Sequence, residues 1–199
     1  MRVFITVLIL IFNLQLITKA DDISELTIEN ISVGDNLLDY AEAIGTTKDY
    51  ILNKKLLFYP NSKKFGIIAI KDRGKYNTYY KVQFTIDPKD YKIYKIGGYL
   101  EISDKDDCVK KQKSIIEDLI EILPSTKKFV DNFSSHPADK TGESIANGIY
   151  LDFPSGDNVE VACYLWGKKI SQERGWEDNL RVNLSSKIIT DFIQNEAYE

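Results

Sequence analysis

YNTYYKVQFTID, residues 76–87, alternates its side chains with a period of two. Tyr80, Val82, Phe84 and Ile86 fall on one face of an extended chain, and Tyr79, Lys81, Gln83 and Thr85 fall on the other. One apolar face and one polar face is the pattern of an antiparallel strand that packs on one side and meets water on the other. The same β-branched and aromatic vocabulary runs through KLLFY (55–59), KFGIIAIKD (64–72) and YKIYKIGGYLEIS (91–103). Turn clusters at 60–62, 71–75 and 87–90 separate these runs, so residues 56–103 read as three or four antiparallel strands. Gly97-Gly98, inside the last of them, is where a bulge is expected.

On the C-terminal side the period changes to that of a helix over 104–123. Cys108, Gln112, Ile115, Leu119 and Ile122 lie along one line, with Val109, Ile116, Ile120 and Leu123 beside it. Asp104, Asp106 and Asp107 suit its positive N-terminal end, and Pro124 stops it. Period two resumes in ANGIYLDF (146–153), NVEVACYLW (158–166) and NLRVNL (179–184), with 154–157 as a hairpin turn and 168–178 as a longer connection. Residues 186–196 form a last helix, with Ile188, Ile189, Phe192 and Ile193 on its apolar side and Ser185 or Ser186 as its cap. Short helical turns are expected before the first strands, at 32–40 and 46–52. The order helix, strands, helix, strands, helix predicts an α+β fold with helices lying on antiparallel sheet. It is read as one domain over 21–199, with two helix-plus-meander halves, 30–103 and 104–199, as the alternative division.

The N-terminus carries an address. Arg2 precedes an apolar stretch over 3–17, broken only by Thr6, Asn13 and Gln15, and 18–20 ends in a small residue. Residues 1–20 therefore read as a secretory signal. The span is shorter than the roughly 20 apolar residues of a membrane helix. No cysteine precedes Cys108, so an acylated lipoprotein is excluded and a soluble exported chain is expected. In an oxidising compartment the only two cysteines, Cys108 and Cys163, have a single intramolecular pairing, and each lies on the apolar side of its element. A disulfide between them is predicted.

A formal charge of −4 and a pI near 5.2 offer no general field for a nucleic acid or an anionic membrane. One histidine and two cysteines cannot build a structural zinc site, and no phosphate-binding glycine loop is present. His136 stands in a polar stretch, SSHPADKTGES, without a nucleophile elbow. Ser125 with Lys128 and Lys140-Thr141-Gly142 imitate fragments of serine beta-lactamases, but in one polar loop rather than on a helix and a distant strand. The aromatic residues are the remaining signal. Tyr164 and Trp166 fall on the strand face opposite Val159, Val161 and Cys163, and Trp176 and Arg181 follow on the connection and next strand. Together they are the candidate partner-binding residues.

The strings IENISVGDNLLDY, DCVKKQKSIIEDL, SSHPADKTGES, GDNVEVACYLW, WEDNLRVNL and DFIQNEAYE resemble a family of exported proteins from marine alphaproteobacteria with AT-rich genomes. The resemblance spans the chain and implies the periplasm; it brings no catalytic or binding residue with it. The alternation of helices and meanders is also similar to beta-lactamase-inhibitor-like and outer-membrane assembly modules, as a likeness of fold alone. The expected function is a periplasmic binding or protein-interaction protein, without cofactor, metal or catalysis, whose partner is a protein or a small molecule. The alternative is a small periplasmic hydrolase using carboxylates or His136.

Overall fold

Alternating apolar residues and tight polar turns fold the strand runs into antiparallel hairpins, with the long helix that follows Asp104 closing over one face and the last helix over one end of the other. The structure, a computed structural model, describes residues 20–72 and 74–198. The expected leader lies outside the described residues except for Ala20, which is buried and donates its N–H to the Ile122 carbonyl at 3.0 Å. Two 3-10 turns, Ile23–Glu25 and Leu37–Tyr40, precede helix α1 (Lys48–Asn53), which Thr47 caps by accepting the Tyr50 N–H. Strands β1 (Leu57–Tyr59), β2 (Ser62–Lys71), β3 (Lys81–Ile86) and β4 (Ile93–Glu101) lead to α2 (Lys105–Ile122). Then come β5 (Lys127–Val130), β6 (Ser134–Ser135), β7 (Ile145–Asp152), β8 (Asn158–Leu165), α3 (Lys168–Arg174), β9 (Asn179–Ser185) and α4 (Lys187–Asn195). The fold is α+β with a nine-stranded antiparallel sheet in the order β1-β2-β3-β4-β9-β8-β7-β5, β6 pairing with β7. Helix α3 splits the second run of strands, where the sequence reads only as a connection.

Both strand runs belong to this one sheet. They meet at β4 and β9, whose seven registered pairs run from Lys95↔Ser185 to Glu101↔Asn179. On one face, Ile68, Val82, Phe84, Ile96, Val161, Leu180, Val182 and Leu184 form the core beneath α2 and the N-terminal segment. Helix α2 is seated by the buried residues Cys108, Gln112 and Ile116, spaced one turn apart. Its apolar stripe is narrower than expected, because Val109 and Ile120 are exposed. Asp104 caps it by accepting the Asp107 N–H at 2.8 Å. The predicted disulfide is present: Cys108 and Cys163 are bonded, with Cα atoms 6.0 Å apart, and both are fully buried. One turn along, Gln112 donates from Nε2 to the Val161 carbonyl at 2.7 Å and accepts from Asn147 at 3.2 Å.

The opposite face, called the far face below, is not simply wet. Thr85, Asn179, Asn183 and Ser185 are buried on it, and Lys81, Gln83, Glu160 and Tyr164 are half-buried. Helix α4 covers one end of it, packing Ile189 and Phe192 on Phe65, Tyr59 and Tyr94. Ile188, expected on that apolar side, is exposed. Gly97 and Gly98 hold regular register with Gln83 and Val82, and the shift in pairing falls at Thr85/Ile86 instead. Their small size serves packing: a Cβ on Gly97 would overlap the Asn183 side chain, and one on Gly98 would strike the Tyr79 ring.

Candidate functional site

Strand register builds the site. Lys81 of β3 stands opposite Tyr99 of β4, and Tyr99 stands opposite Arg181 of β9, so the three side chains rise from the far face as cross-strand neighbours. Tyr164 of β8, opposite Asn179, extends the row diagonally. The Lys81 ammonium sits 3.8 Å from the Tyr99 ring centre, and the Arg181 guanidinium carbon lies 3.8 Å from the Tyr164 centre and 4.6 Å from that of Tyr99. Cations and rings thus alternate across four strands, each contact contributing about 0.5 to 2 kcal/mol. Tyr99 is itself steered by its hydroxyl, which donates to Gln83 Oε1 at 2.9 Å.

The ring contacts leave the guanidinium N–H groups free to seek acceptors. Arg181 Nε donates to Asn179 Oδ1 at 2.9 Å, and Asn179 is anchored through Nδ2 to the Glu177 carbonyl at 2.6 Å. Among the described residues, neither Lys81 nor Arg181 forms an ion pair. The far-face carboxylate Glu160 is engaged elsewhere, accepting from Asn183 at 2.6 Å and Tyr150 at 3.3 Å, with the Lys95 ammonium 3.9 Å away.

Above this row stands an aromatic wall. Trp166 stacks on Tyr164 with ring centres 5.7 Å apart, Trp176 meets Trp166 at 4.4 Å, and His136 meets Trp166 edge-on at 4.7 Å. A polar clamp fixes the loop that carries His136. Ser144 donates from Oγ to the Asp139 carboxylate at 2.5 Å and accepts the Gly167 N–H at 2.9 Å, which ties that loop to the start of α3. Hydrogen bonds from Ser144 and Thr141 hold Asp139 well below the usual carboxylate range. Helix α3 then ends at Gly175, whose left-handed conformation (φ 63°) turns the chain into Trp176. At the other side of the site, Glu29 accepts the N–H groups of Asn77, Thr78 and Tyr79, fixing the loop that presents Tyr80.

These pieces enclose a cavity of about 330 Å³, with Lys81, Arg181, Gln83 and Tyr99 on its floor and Tyr80, His136, Trp166 and Trp176 among its walls. Its electrostatics follow from burial. Lys81 is brought down from 10.5 to about 8, first by burial and then by the Arg181 and Lys71 charges, with Glu177 opposing. His136 is lowered by burial and by Arg181, against Asp139. Burial also pushes Tyr80 up to about 12. The His136 Nδ1 accepts the Ala138 N–H at 3.2 Å, while the Asp139 carboxylate is taken by Thr141 and Ser144. Among the described residues His136 therefore has no carboxylate partner of the kind a catalytic triad requires. No group of three or more His, Cys, Asp or Glu among the described residues is arranged to hold a metal ion.

All four residues singled out from the sequence meet here, and His136 joins them. Arg181, Trp166 and Trp176 line the cavity, and Tyr164 lies against Arg181 and Trp166. Tyr164 and Trp166 are half-buried rather than exposed, because the His136 loop and Trp176 pack on them. Lys81, Gln83 and Tyr99 escaped the sequence reading as site residues, and Tyr80, which alternation puts on the core face, lies instead against Tyr99 in the cavity while Tyr79 packs on the core, because both precede the regular strand that begins at Lys81. Alternation already placed Lys81 and Gln83 off the core face, but only the pairing of β3 with β4, and of β4 with β9, brings them to Arg181. No protein-family profile, curated protein or solved structure matches the chain.

Proposed function

We propose that this protein is an exported, periplasmic binding protein, non-catalytic, and a member of the alphaproteobacterial family its sequence resembles. Its site is the cavity on the far face and its ligand is a small molecule. The observation that carries the reading is convergence: Trp166, Trp176, Tyr80, Tyr99 and Arg181, drawn from separate strands and loops, line one concave space. At about 330 Å³ it matches small-molecule sites, which start at roughly 300 Å³ and combine aromatic walls with a few placed polar groups. The Cys108–Cys163 disulfide agrees with export, and no helix among the described residues is long and apolar enough to cross a membrane.

Both tryptophans line the cavity, so intrinsic fluorescence reads its occupancy. Screening the chain without its leader against a library of small metabolites is expected to yield compounds that alter this emission and raise the melting temperature. The response should vanish in W166A. Two results would overturn the reading: a periplasmic protein captured through Trp166 with no small molecule bound, or turnover of an ester, peptide or glycoside that disappears in H136A.

A further inference from the structure

We infer that the ligand is a small organic oxyanion, a carboxylate or phosphate carried on a flat apolar body, gripped by Lys81 and Arg181. This rests on the small-molecule reading of the cavity and specifies what enters it.

Two cations converge on one half-buried space and neither forms an ion pair among the described residues; the one carboxylate on its lining, Glu177, is outnumbered. Lys71, at the same rim, adds a third positive charge. In a chain of formal charge −4 this is a local reversal of sign. Like charges brought together and desolvated raise the free energy of the empty protein, and an anion relieves that cost on entry. The lowered proton affinity of Lys81 records the same conflict.

The chemistry of Arg181 narrows the anion further. Its guanidinium carbon lies over the Tyr99 and Tyr164 rings and its Nε is bound to Asn179, which leaves the terminal nitrogens as a planar pair of donors. Such a fork matches the two oxygens of a carboxylate or phosphate. The flat walls of Trp166, Trp176 and Tyr80 suit a flat body attached to the anionic group. Just outside, a more open hollow of about 590 Å³ shares Tyr80, Trp166 and Trp176 but is lined by Glu101, Glu177 and Asp178. Of its three carboxylates only Glu177 also lines the inner cavity, where Lys71, Lys81 and Arg181 outnumber it, so the inner cavity is where the charge sits.

The test titrates the protein with benzoate, phenyl phosphate and inorganic phosphate, and with benzamide and phenol as neutral counterparts, following tryptophan fluorescence. Benzoate or phenyl phosphate is expected to bind at least tenfold more tightly than its neutral counterpart, and the better of the two assigns carboxylate or phosphate. K81M and R181M should each weaken that binding about tenfold or more, while K95M, whose lysine faces Glu160, should not. R181K separates fork from charge: it should bind more weakly than wild type but better than R181M. A measurement on the wild type guards against variants that fail to fold. Lys81 should react quickly with an amine-acylating reagent near pH 8, and benzoate or phenyl phosphate, but not benzamide, should protect it in peptide mass spectra. Equal binding of charged and neutral probes, or no protection of Lys81 by either anion, would overturn the anion inference and leave the small-molecule site standing. The site itself fails on different evidence, a metabolite library that never alters the tryptophan emission.

Discussion

Lys81 stands at a position where the sheet puts function against stability. Its ammonium faces Lys71 from β2, Arg181 from β9 and Glu177 from the connection before β9, with the Tyr99 and Tyr80 rings beside it. Its native pKa of about 8 lies below the ordinary lysine value of 10.5, so between these limits the unfolded chain holds a proton that the native chain has shed. Stability therefore rises with pH across this window, and the full cost is present below about pH 8. Tyrosines raised to about 12, such as Tyr59 and Tyr80, act with the opposite sign once pH passes 10. Chemical denaturation of the ligand-free protein should show the rise between pH 8 and 10, and K81M should flatten it while being more stable than wild type at pH 7. A K81M protein that is less stable at pH 7 would show that the ring contact outweighs the repulsion. Trp166 makes the complementary case. Three rings pack against it although it is only half-buried, so W166A should cost about 2 kcal/mol, less than the 3 to 5 of a fully buried tryptophan. An equilibrium unfolding curve superimposing on wild type would mean that the ring is held for binding alone.

Helix α2 is the element most firmly joined to the sheet, through the disulfide at its first turn and Gln112 at its second. The bond closes a separation of 55 residues, which by the chain-entropy estimate stabilises the native state by about 4 kcal/mol. Paired replacement of Cys108 and Cys163 by alanine should lower stability by that order in urea titration, and alkylation of unreduced protein should label neither cysteine. Q112L tests the second tie. It removes both hydrogen bonds and leaves the Asn147 side chain without the Gln112 amide, and a loss of about 1 to 3 kcal/mol is expected. An isosteric change that left stability intact would show water reaching the gap. Helix α4 works differently, closing its end of the far face by apolar contact of Ile189 and Phe192.

In the whole molecule, the pairing of β4 with β9 makes two strand runs into one cooperative sheet. Both tryptophans lie in the second run, so fluorescence reports on that part and far-UV circular dichroism on all of it. Seven registered pairs and a continuous core across the seam predict coincident transitions by the two probes. Separate midpoints would mean that 30–103 and 104–199 unfold as independent units.

Period-two alternation was enough to reveal the strand and its two faces from Lys81 to Thr85, because side-chain direction in a strand is a local property of the backbone, but it failed for Tyr79 and Tyr80, which lie before the regular strand and swap sides. Local spacing likewise marked α2, the acidic start of that helix and the apolar line carrying Cys108, and two cysteines admit only one internal bond. Tyr164, Trp166, Trp176 and Arg181 could be singled out as a chemically unusual group on the outer side of their strands. What alternation cannot state is which strand lies beside which, since register between distant segments is a matter of three-dimensional pairing. The meeting of β4 and β9 put Tyr99 beside Arg181, and the pairing of β3 with β4 put Lys81 beside Tyr99. Only that tertiary arrangement turned scattered lysine, arginine and tyrosine residues into a cationic, ring-walled cavity, because charges interact through space and not along the chain.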